Sequence, residues 1–219
     1  MKNLREQTEA QIKKSRNGNP QFMEAVDQVI EAARQFEEGK NALALGEVAP
    51  SFELPNFDGA SIKLADLLAK GAVVLSFYRG SWCPYCNLEL KALQAHLPEI
   101  RELGAELVFV TPQTPDMSLA QSEKDVIEFP VLSDQGAEVA ARYGVAWKVP
   151  EVILEHMRLD RKLDLEMINN GNGEVLPIPA IFVLDRYGVV VWKYVDVDYR
   201  KRAEPAEMIE ALRKLSDVK

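Results

Sequence analysis

Apolar residues near the start of the chain recur at the spacing of an amphipathic helix. They share one face of the predicted helix: Phe22, Val26, Val29, Ala33 and Phe36. Asn17-Gly18-Asn19-Pro20 separates this helix from an earlier one, and Gly39 ends it. The apolar face needs a cover, either from the rest of its own domain or from a partner chain, and packing within the domain is the simpler expectation.

From Gly46 onward the pattern changes to buried strands that alternate with helices. Segments 51–54 and 62–64 flank a turn sequence and predict a hairpin. Residues 72–77 form a near-continuous apolar run, which is typical of a strand buried on both faces. A helix over 84–103 and a second buried strand at 107–110 follow, and together they predict a parallel pair joined by a crossover helix.

The second half of the chain continues this alternation. Further helices are predicted over 118–127, 136–143 and 204–215, and further strands over 129–132, 180–184 and 189–194. Residues 151–168 also look helical, although their apolar pattern is loose, and an Asn- and Gly-rich segment ends them. The last two strands are expected to form a hairpin over residues 185–188.

Length and composition indicate an ordinary globular protein. The chain has 219 residues, 47% of them hydrophobic, and a formal net charge of -8. An acidic surface argues against binding nucleic acid or an anionic membrane, because both need a basic face. No apolar run approaches the ~20 residues that span a bilayer. Residues 1–16 are charged and lack the features of a signal peptide, so a reducing cytoplasm is the expected compartment.

The chemistry of the chain centres on two cysteines, Cys83 and Cys86. They lie too close in sequence to stabilise a fold as a disulfide, which leaves redox chemistry or metal binding. Pro84 suits the first turn of a helix, so Cys83 is expected at or next to the N-cap. Free N–H groups and the positive end of the helix dipole then favour the thiolate, and Arg79 adds a second positive charge.

Cys86 is expected to play a different part. It shares a helical face with Leu90, Leu93, Leu97 and Ile100, so it should pack on the sheet and be the shielded sulfur, with Cys83 the exposed one. This inequality predicts that Cys83 attacks and that Cys86 resolves the resulting mixed disulfide.

Two other interpretations of the pair are weaker. Inert buried cysteines are common, but these two sit at the start of a helix in a strand–helix unit. A closed zinc site needs two more ligands, and His96 and His156 stand at no recognisable zinc-finger spacing. Redox use of the pair is therefore favoured, and no metal or cofactor is expected.

Several motifs resemble the thioredoxin superfamily, in particular its peroxiredoxin-like branch, the alkyl hydroperoxide reductase and thiol-specific antioxidant group. The motifs occupy residues 46–52, 76–83, 133–136 with 143–145, and 182–188. The resemblance implies an α/β thioredoxin-like fold, with a central mixed β-sheet flanked by helices, over residues 45–219. Residues 1–44 would then be an N-terminal helical extension.

Two alignments with that group compete. Aligned with the peroxiredoxin pattern Pro-x-x-x-Thr-x-x-Cys, Cys86 takes the peroxidatic position. Arg79, Cys83 and Pro179 then replace the proline, threonine and arginine of the family. The resemblance implies that this threonine and arginine hold and polarise the peroxide. The same three residues resemble thioredoxin, because Cys83 completes a C-x-x-C motif and Pro179 takes the place of the thioredoxin cis-proline. A cis bond there would expose the backbone of Ile178 to an extended substrate, whereas a trans proline in an edge strand is the alternative.

Aromatic and charged residues elsewhere have two possible uses. Trp82 and Tyr85 either form a rim that shapes substrate docking or simply pack against the sheet. The charged segment 196–202 is expected to be a solvated turn, and a contribution of Arg200 or Arg202 to a substrate or partner surface is the minor alternative.

The leading functional hypothesis is thiol–disulfide exchange through Cys83 and Cys86, with an external thiol reductant of thioredoxin or glutathione type. The alternative is thioredoxin-dependent reduction of hydroperoxides, with a sulfenic acid on one cysteine and condensation of the other onto it. A metal-binding or interaction module on the same fold is the non-enzyme alternative. The N-terminal helices and the segment 151–168 are expected either to cover the site or to form a homodimer interface.

Overall fold

The computed structural model of the chain describes residues 3–35, 39–117 and 126–216. Within these residues the helices are α1 Leu4–Gly18, α2 Pro20–Gln35, α3 Leu64–Leu68, α4 Pro84–Glu102, α5 Glu138–Arg142, α6 Glu151–Leu159, α7 Leu165–Ile168 and α8 Pro205–Ser216. The strands are β1 Glu53–Pro55, β2 Ser61–Lys63, β3 Ala72–Phe77, β4 Ala105–Thr111, β5 Val131–Ser133, β6 Ala146–Lys148, β7 Val175–Pro177, β8 Ala180–Leu184 and β9 Val190–Val195. A 3-10 turn, Pro115–Met117, follows β4.

Five strands form a central mixed sheet in the order β5-β4-β3-β8-β9. β3 and β4 run parallel, as do β4 and β5, which confirms the predicted strand–helix–strand unit. β8 is antiparallel to both β3 and β9. β8 and β9 form the predicted hairpin. Phe77, the last residue of β3, pairs with Val110 on one side and Ala180 on the other, so the loop after β3 begins beside residues 178–179.

Helices cover the sheet because its central strands carry apolar side chains on both faces. Residues 73–77 of β3 are all buried. α4 packs against β4 and α8, and α8 packs in turn against β8 and β9. Pro84 starts α4 as predicted, and Pro98 lies inside it.

The two N-terminal helices pack against the rest of the chain. Asn3 caps α1 in a capping box with Glu6, and α1 ends where the predicted break begins. α1 contacts α4, while α2 contacts α6. The apolar face of α2 joins the main hydrophobic core through Val26, Ile30 and Ala33, so this face is covered from within the chain. The predicted face also included Phe36, which lies outside the described residues.

The segment 151–168 differs from its prediction as one helix. It folds as α6 and α7, separated by residues 160–164, in which Lys162 has a positive φ and Asp164 caps α7. β6 and β7 pair at the base of this segment and were not predicted, because strands of three residues carry too few positions for a periodic pattern.

Two further predictions in the second half have different outcomes. The strand predicted at 129–132 begins two residues later, as β5. Most of the helix predicted over 118–127 lies outside the described residues. Within the part of the chain that the structure describes, no helix is both long and apolar enough to cross a membrane.

Candidate dithiol site

The loop after β3 is held in a fixed conformation that delivers Cys83 to the start of α4. Gly80 has a φ of 144°, and a Cβ there would lie 2.5 Å from Nε1 of Trp82, so glycine is required. The Ser81 N–H donates to Oε1 of Gln113 at 2.6 Å, and the Asn87 amide donates to the Ser81 carbonyl at 2.8 Å. Cys83 is the N-cap of α4, as the position of Pro84 predicted. The Cys83 N–H donates to the Gly80 carbonyl at 3.1 Å.

Both cysteines are free thiols, and both are buried. Cys86 is 0% exposed, as its place on the apolar face of α4 predicted. Cys83 is only 1% exposed, so the expectation of an exposed sulfur at the helix start was wrong. The reason is tertiary: α1, α2, α6 and Tyr199 line the space above Cys83.

The two sulfurs ionise very differently. Burial opposes ionisation of Cys83, but it is outweighed by hydrogen bonds from the thiol and backbone N–H of Cys86 and by the charges of Arg79 and Arg202. Together these lower the pKa of Cys83 from an ordinary value of 9.0 to about 5. Burial, and the hydrogen bond and charge of Cys83, raise the pKa of Cys86 well above 9.0. Near neutral pH the pair therefore holds one proton, on Cys86.

Arg79 is a buried cation with unused hydrogen-bonding capacity. Its Cζ lies 4.0 Å from the centre of the Tyr199 ring and 5.1 Å from that of Trp82. Nε and Nη2 of Arg79, and Nε1 of Trp82, are buried and have no hydrogen-bond partner among the described residues. Donors in this state are costly in a protein interior, and these remain available to hydrogen-bond a group that enters the site.

Behind Cys86 lies a buried ion pair that the sequence analysis missed. Nη2 of Arg202 donates to Sγ of Cys86 at 3.0 Å, and its Nε donates to Oε2 of Glu89 at 2.8 Å. Both charged side chains are at most 2% exposed. Burial raises the pKa of Glu89, although the charge of Arg202 opposes this rise. One signal was available in the sequence: Glu89 stands three residues after Cys86, on the apolar face of α4.

The segment 196–202 was expected to be a solvated turn, and this was wrong. Residues 197–200 and Arg202 are buried. Arg200 donates to Asp198 and to Asp27 of α2, each at 2.7 Å, and thereby joins the segment to the N-terminal helices. The charges are buried because each has a partner from elsewhere in the fold.

Pro179 does not have the cis geometry that the comparison with thioredoxin suggested. No described peptide bond is cis, so the Ile178–Pro179 bond is trans, and Pro179 is buried just before β8. The Ile178 N–H donates to the Val145 carbonyl at 2.7 Å, continuing the β6–β7 pairing. This donor is therefore used within the chain and is not free to pair with a substrate strand.

A cavity of about 400 Å³ lies above Cys83, and the N-terminal helices and α6 cover it. Phe22 of α2 stacks on His156 of α6 with ring centres 3.6 Å apart. Arg161, just after α6, donates to the Trp82 carbonyl at 3.3 Å. Trp82 and Tyr85 both line the cavity. A larger cavity of about 550 Å³ is lined by residues between 151 and 174 and by neither cysteine.

The sheet, the helix that begins at Cys83 and the unequal pair of sulfurs define a thiol-dependent oxidoreductase of thioredoxin-like fold. Comparison with known proteins supports this class and identifies the family within it. Residues 45–193 match the AhpC/TSA family, and the chain belongs to this family.

The proteins that are similar to this chain are named for two different activities. Peroxiredoxin Bcp of Escherichia coli K12 is 29% identical over 105 residues, which cover 48% of this chain and 67% of that protein. The thiol-disulfide oxidoreductase ResA of Bacillus thuringiensis subsp. konkukian is 32% identical over 150 residues, 68% of each chain. The chain is thus an oxidoreductase acting on peroxides or disulfides.

Solved structures share the fold. Peroxidoxin BcpB of Mycobacterium tuberculosis superposes with a TM-score of 0.61 at 23% identity, covering 79% of this chain and 98% of that one. The reduced 2-Cys peroxiredoxin of Plasmodium vivax superposes with a TM-score of 0.60 at 19% identity, covering 80% and 98%.

Proposed function

We propose that this chain is a thiol–disulfide oxidoreductase in which Cys83 is the nucleophile and Cys86 the resolving thiol. The observation that carries the proposal is the unequal ionisation of the pair. With a pKa of about 5, Cys83 is almost entirely thiolate near neutral pH, while Cys86 keeps its proton. The thiolate is the reactive form of cysteine, so attack begins at Cys83.

The proposed cycle has two exchange steps. The Cys83 thiolate attacks one sulfur of a disulfide, the S–S bond breaks, and one half of the substrate leaves as a thiolate. Cys86 then attacks Sγ of Cys83 and releases the second half, which takes up the Cys86 proton. The substrate gains two electrons and the protein ends with a Cys83–Cys86 disulfide. An external thiol of thioredoxin or glutathione type returns the pair to the reduced state.

Arg79 and Arg202 have separate supporting roles in this scheme. Arg79 stabilises the thiolate of Cys83. Arg202 donates to Sγ of Cys86 at 3.0 Å and would stabilise the negative charge that forms when Cys86 loses its proton. Within the proposed N-terminal extension, residues 1–44, the helices α1 and α2 are proposed to cover the site, and Trp82 is proposed to form part of its rim. Pro179 keeps a structural role beside the loop.

Disulfide substrates are favoured over peroxides by the residues around the pair. In the peroxiredoxin alignment, Cys83 stands where a threonine would help to hold peroxide, and Pro179 stands where an arginine would. The similarity to ResA, 32% over 68% of the chain, points the same way.

Hydroperoxide reduction is a second candidate, and the enclosure of Cys83 favours it. A sulfur that is 1% exposed suits a very small oxidant. In this candidate the Cys83 thiolate, rather than Cys86 as in the peroxiredoxin alignment, would attack the terminal peroxide oxygen, the O–O bond would break, and the leaving alkoxide would take up a proton. Cys86 would then condense with the Cys83 sulfenic acid and release water.

Stopped-flow kinetics separate the two candidates. Reduced protein is mixed with hydrogen peroxide, an organic hydroperoxide or a neutral disulfide, and oxidation is followed by tryptophan fluorescence, since Trp82 lies beside Cys83. We expect faster oxidation by the disulfide, and peroxide rates close to those of a free thiol. Peroxide rates far above that level, with slow disulfide exchange, would make the second candidate the function.

Trapping assigns the roles of the two sulfurs. Cys86→Ser should accumulate a mixed disulfide through Cys83, because the resolving thiol is missing, and mass spectrometry locates the adduct. Cys83→Ser is the matched variant and should accumulate none. Trapping by Cys83→Ser alone would reverse the assignment and favour the peroxiredoxin alignment.

A further inference from the structure

We infer that the cavity above Cys83 is a binding site for the carboxylates of a small anionic disulfide, formed by Lys14, Arg79 and Arg161 on different parts of the fold. This inference rests on the proposed function and narrows its substrate class. Lys14 comes from α1, Arg79 from the loop after β3, and Arg161 from the segment just after α6.

The first observation is the charge of the cavity. Its lining holds three basic side chains and no Asp or Glu, although the whole chain has a net charge of -8. A local excess of positive charge in an acidic protein concentrates anions at that place and repels cations. The excess lies beside a thiolate, whose charge would otherwise repel an anionic substrate.

The second observation is the free capacity of Arg79. The residue is 2% exposed, and two of its donor atoms lack a partner among the described residues. The planar, cationic fork of an arginine guanidinium matches the geometry of a carboxylate. A carboxylate that entered the cavity would satisfy donors that are already buried, so little further desolvation of the protein is needed.

The third observation is the size and lining of the space. A cavity of about 400 Å³ is in the range of small-molecule sites and takes a group of tripeptide size, but not a folded protein. Phe22, Trp82 and Tyr199 add aromatic surface for the uncharged part of the ligand. Together these features fit one half of a low-molecular-weight disulfide that bears carboxylates, with its sulfur at Cys83.

The test compares three disulfides in single turnovers of the reduced protein: glutathione disulfide, which is anionic, bis(2-hydroxyethyl) disulfide, which is neutral, and cystamine, which is cationic. Each rate is divided by the rate of the same disulfide with free dithiothreitol, which removes differences in intrinsic reactivity. We expect the normalised rate to be highest for the anion and lowest for the cation. The normalised rate of the anionic disulfide should exceed that of the neutral disulfide by about tenfold at low salt, and added salt should reduce this difference.

Charge reversal identifies the residues. Lys14→Glu and Arg161→Glu should each lower the anion-to-neutral ratio several-fold. Lys13→Glu makes the same charge change one residue away on α1, at an exposed position that does not line the cavity, and should leave the ratio unchanged. Equal normalised rates for the three disulfides, or equal effects of Lys13→Glu and Lys14→Glu, would overturn the inference but leave the proposed function intact. Failure to react with any disulfide would overturn the proposed function itself.

Discussion

Replacing Arg79 by methionine should raise the pKa of Cys83 and slow its reactions near pH 6. The substitution removes the charge but keeps an unbranched apolar side chain that can pack on Tyr199, whose ring the guanidinium now covers at 4.0 Å. Arg79 is one of two arginines whose charges lower the pKa of Cys83. Its removal leaves Arg202 and the hydrogen bonds from Cys86 to act against the cost of burial.

The size of the effect follows from the ionisation equilibrium. A nearby opposite charge typically shifts a pKa by about 1–3 units, so the pKa of Cys83 should rise from about 5 to roughly 6–8. At pH 6 the wild-type thiol is then about nine-tenths thiolate, whereas the variant is about half thiolate or less. Reaction with a small alkylating agent should slow at least about twofold at pH 6, and by less at pH 9, where both proteins approach full ionisation.

The assay is the rate of alkylation of Cys83 by iodoacetamide between pH 4 and pH 9, with mass spectrometry to distinguish the two cysteines. Arg79→Lys keeps the positive charge, so the pH at which the alkylation rate is half-maximal should stay closer to that of the wild type. Arg186→Met removes an exposed arginine on the β8–β9 turn, which does not act on Cys83, and should change nothing. A wild-type midpoint near 9, or identical midpoints for Arg79→Met and the wild type, would refute this account of the site.

Three further outcomes are expected. Arg202→Met leaves Glu89 buried without its partner and should lower the free energy of unfolding in urea by about 3–5 kcal/mol, and adding Glu89→Gln should recover part of that loss. Above about pH 5 the reduced pair holds one proton, so the midpoint potential of the dithiol should fall by about 30 mV per pH unit in that range. Below about pH 5 the reduced pair holds two protons, and the potential should fall by about 60 mV per pH unit. A uniform slope of about 60 mV per pH unit would contradict the ionisation of Cys83. Gly80→Ala forces a Cβ to within 2.5 Å of the Trp82 indole, so single-turnover oxidation should slow, and an unchanged rate would show that the loop tolerates the shift.

The elements around the dithiol could be predicted because their signals are local. Residues 72–77 are apolar at almost every position, and Pro84 marks the first turn of α4 wherever the helix packs. The same holds for the break between α1 and α2 and for the hairpin of β8 and β9. Each signal lies within a few residues of the feature that it predicts, and the structure has each of them.

The surroundings of the dithiol could not be predicted in the same way, since their partners are distant in sequence. Arg202 donates to Cys86 across 116 positions, and no periodicity links the two. The charged segment 196–202 looked solvated because its composition suits water. Its burial depends on acidic partners such as Glu89, which only the tertiary fold brings close. Pro179 shows the opposite error, because a local motif suggested a cis bond before Pro179 and the bond is trans. The Ile178 N–H, which a cis bond would have exposed to substrate, pairs with the Val145 carbonyl instead.

The cover over Cys83 has a consequence for comparison with the relatives. The family match begins at residue 45, but α1 and α2, which line the cavity through Lys14 and Phe22, end before that point. The part of the chain shared with the family therefore supplies the sulfurs and Arg79, whereas part of the wall that a substrate meets lies outside it. Relatives with the same dithiol but no such helices would present an open Cys83. We therefore expect substrate choice in this chain to depend on α1 and α2 as much as on the family motifs.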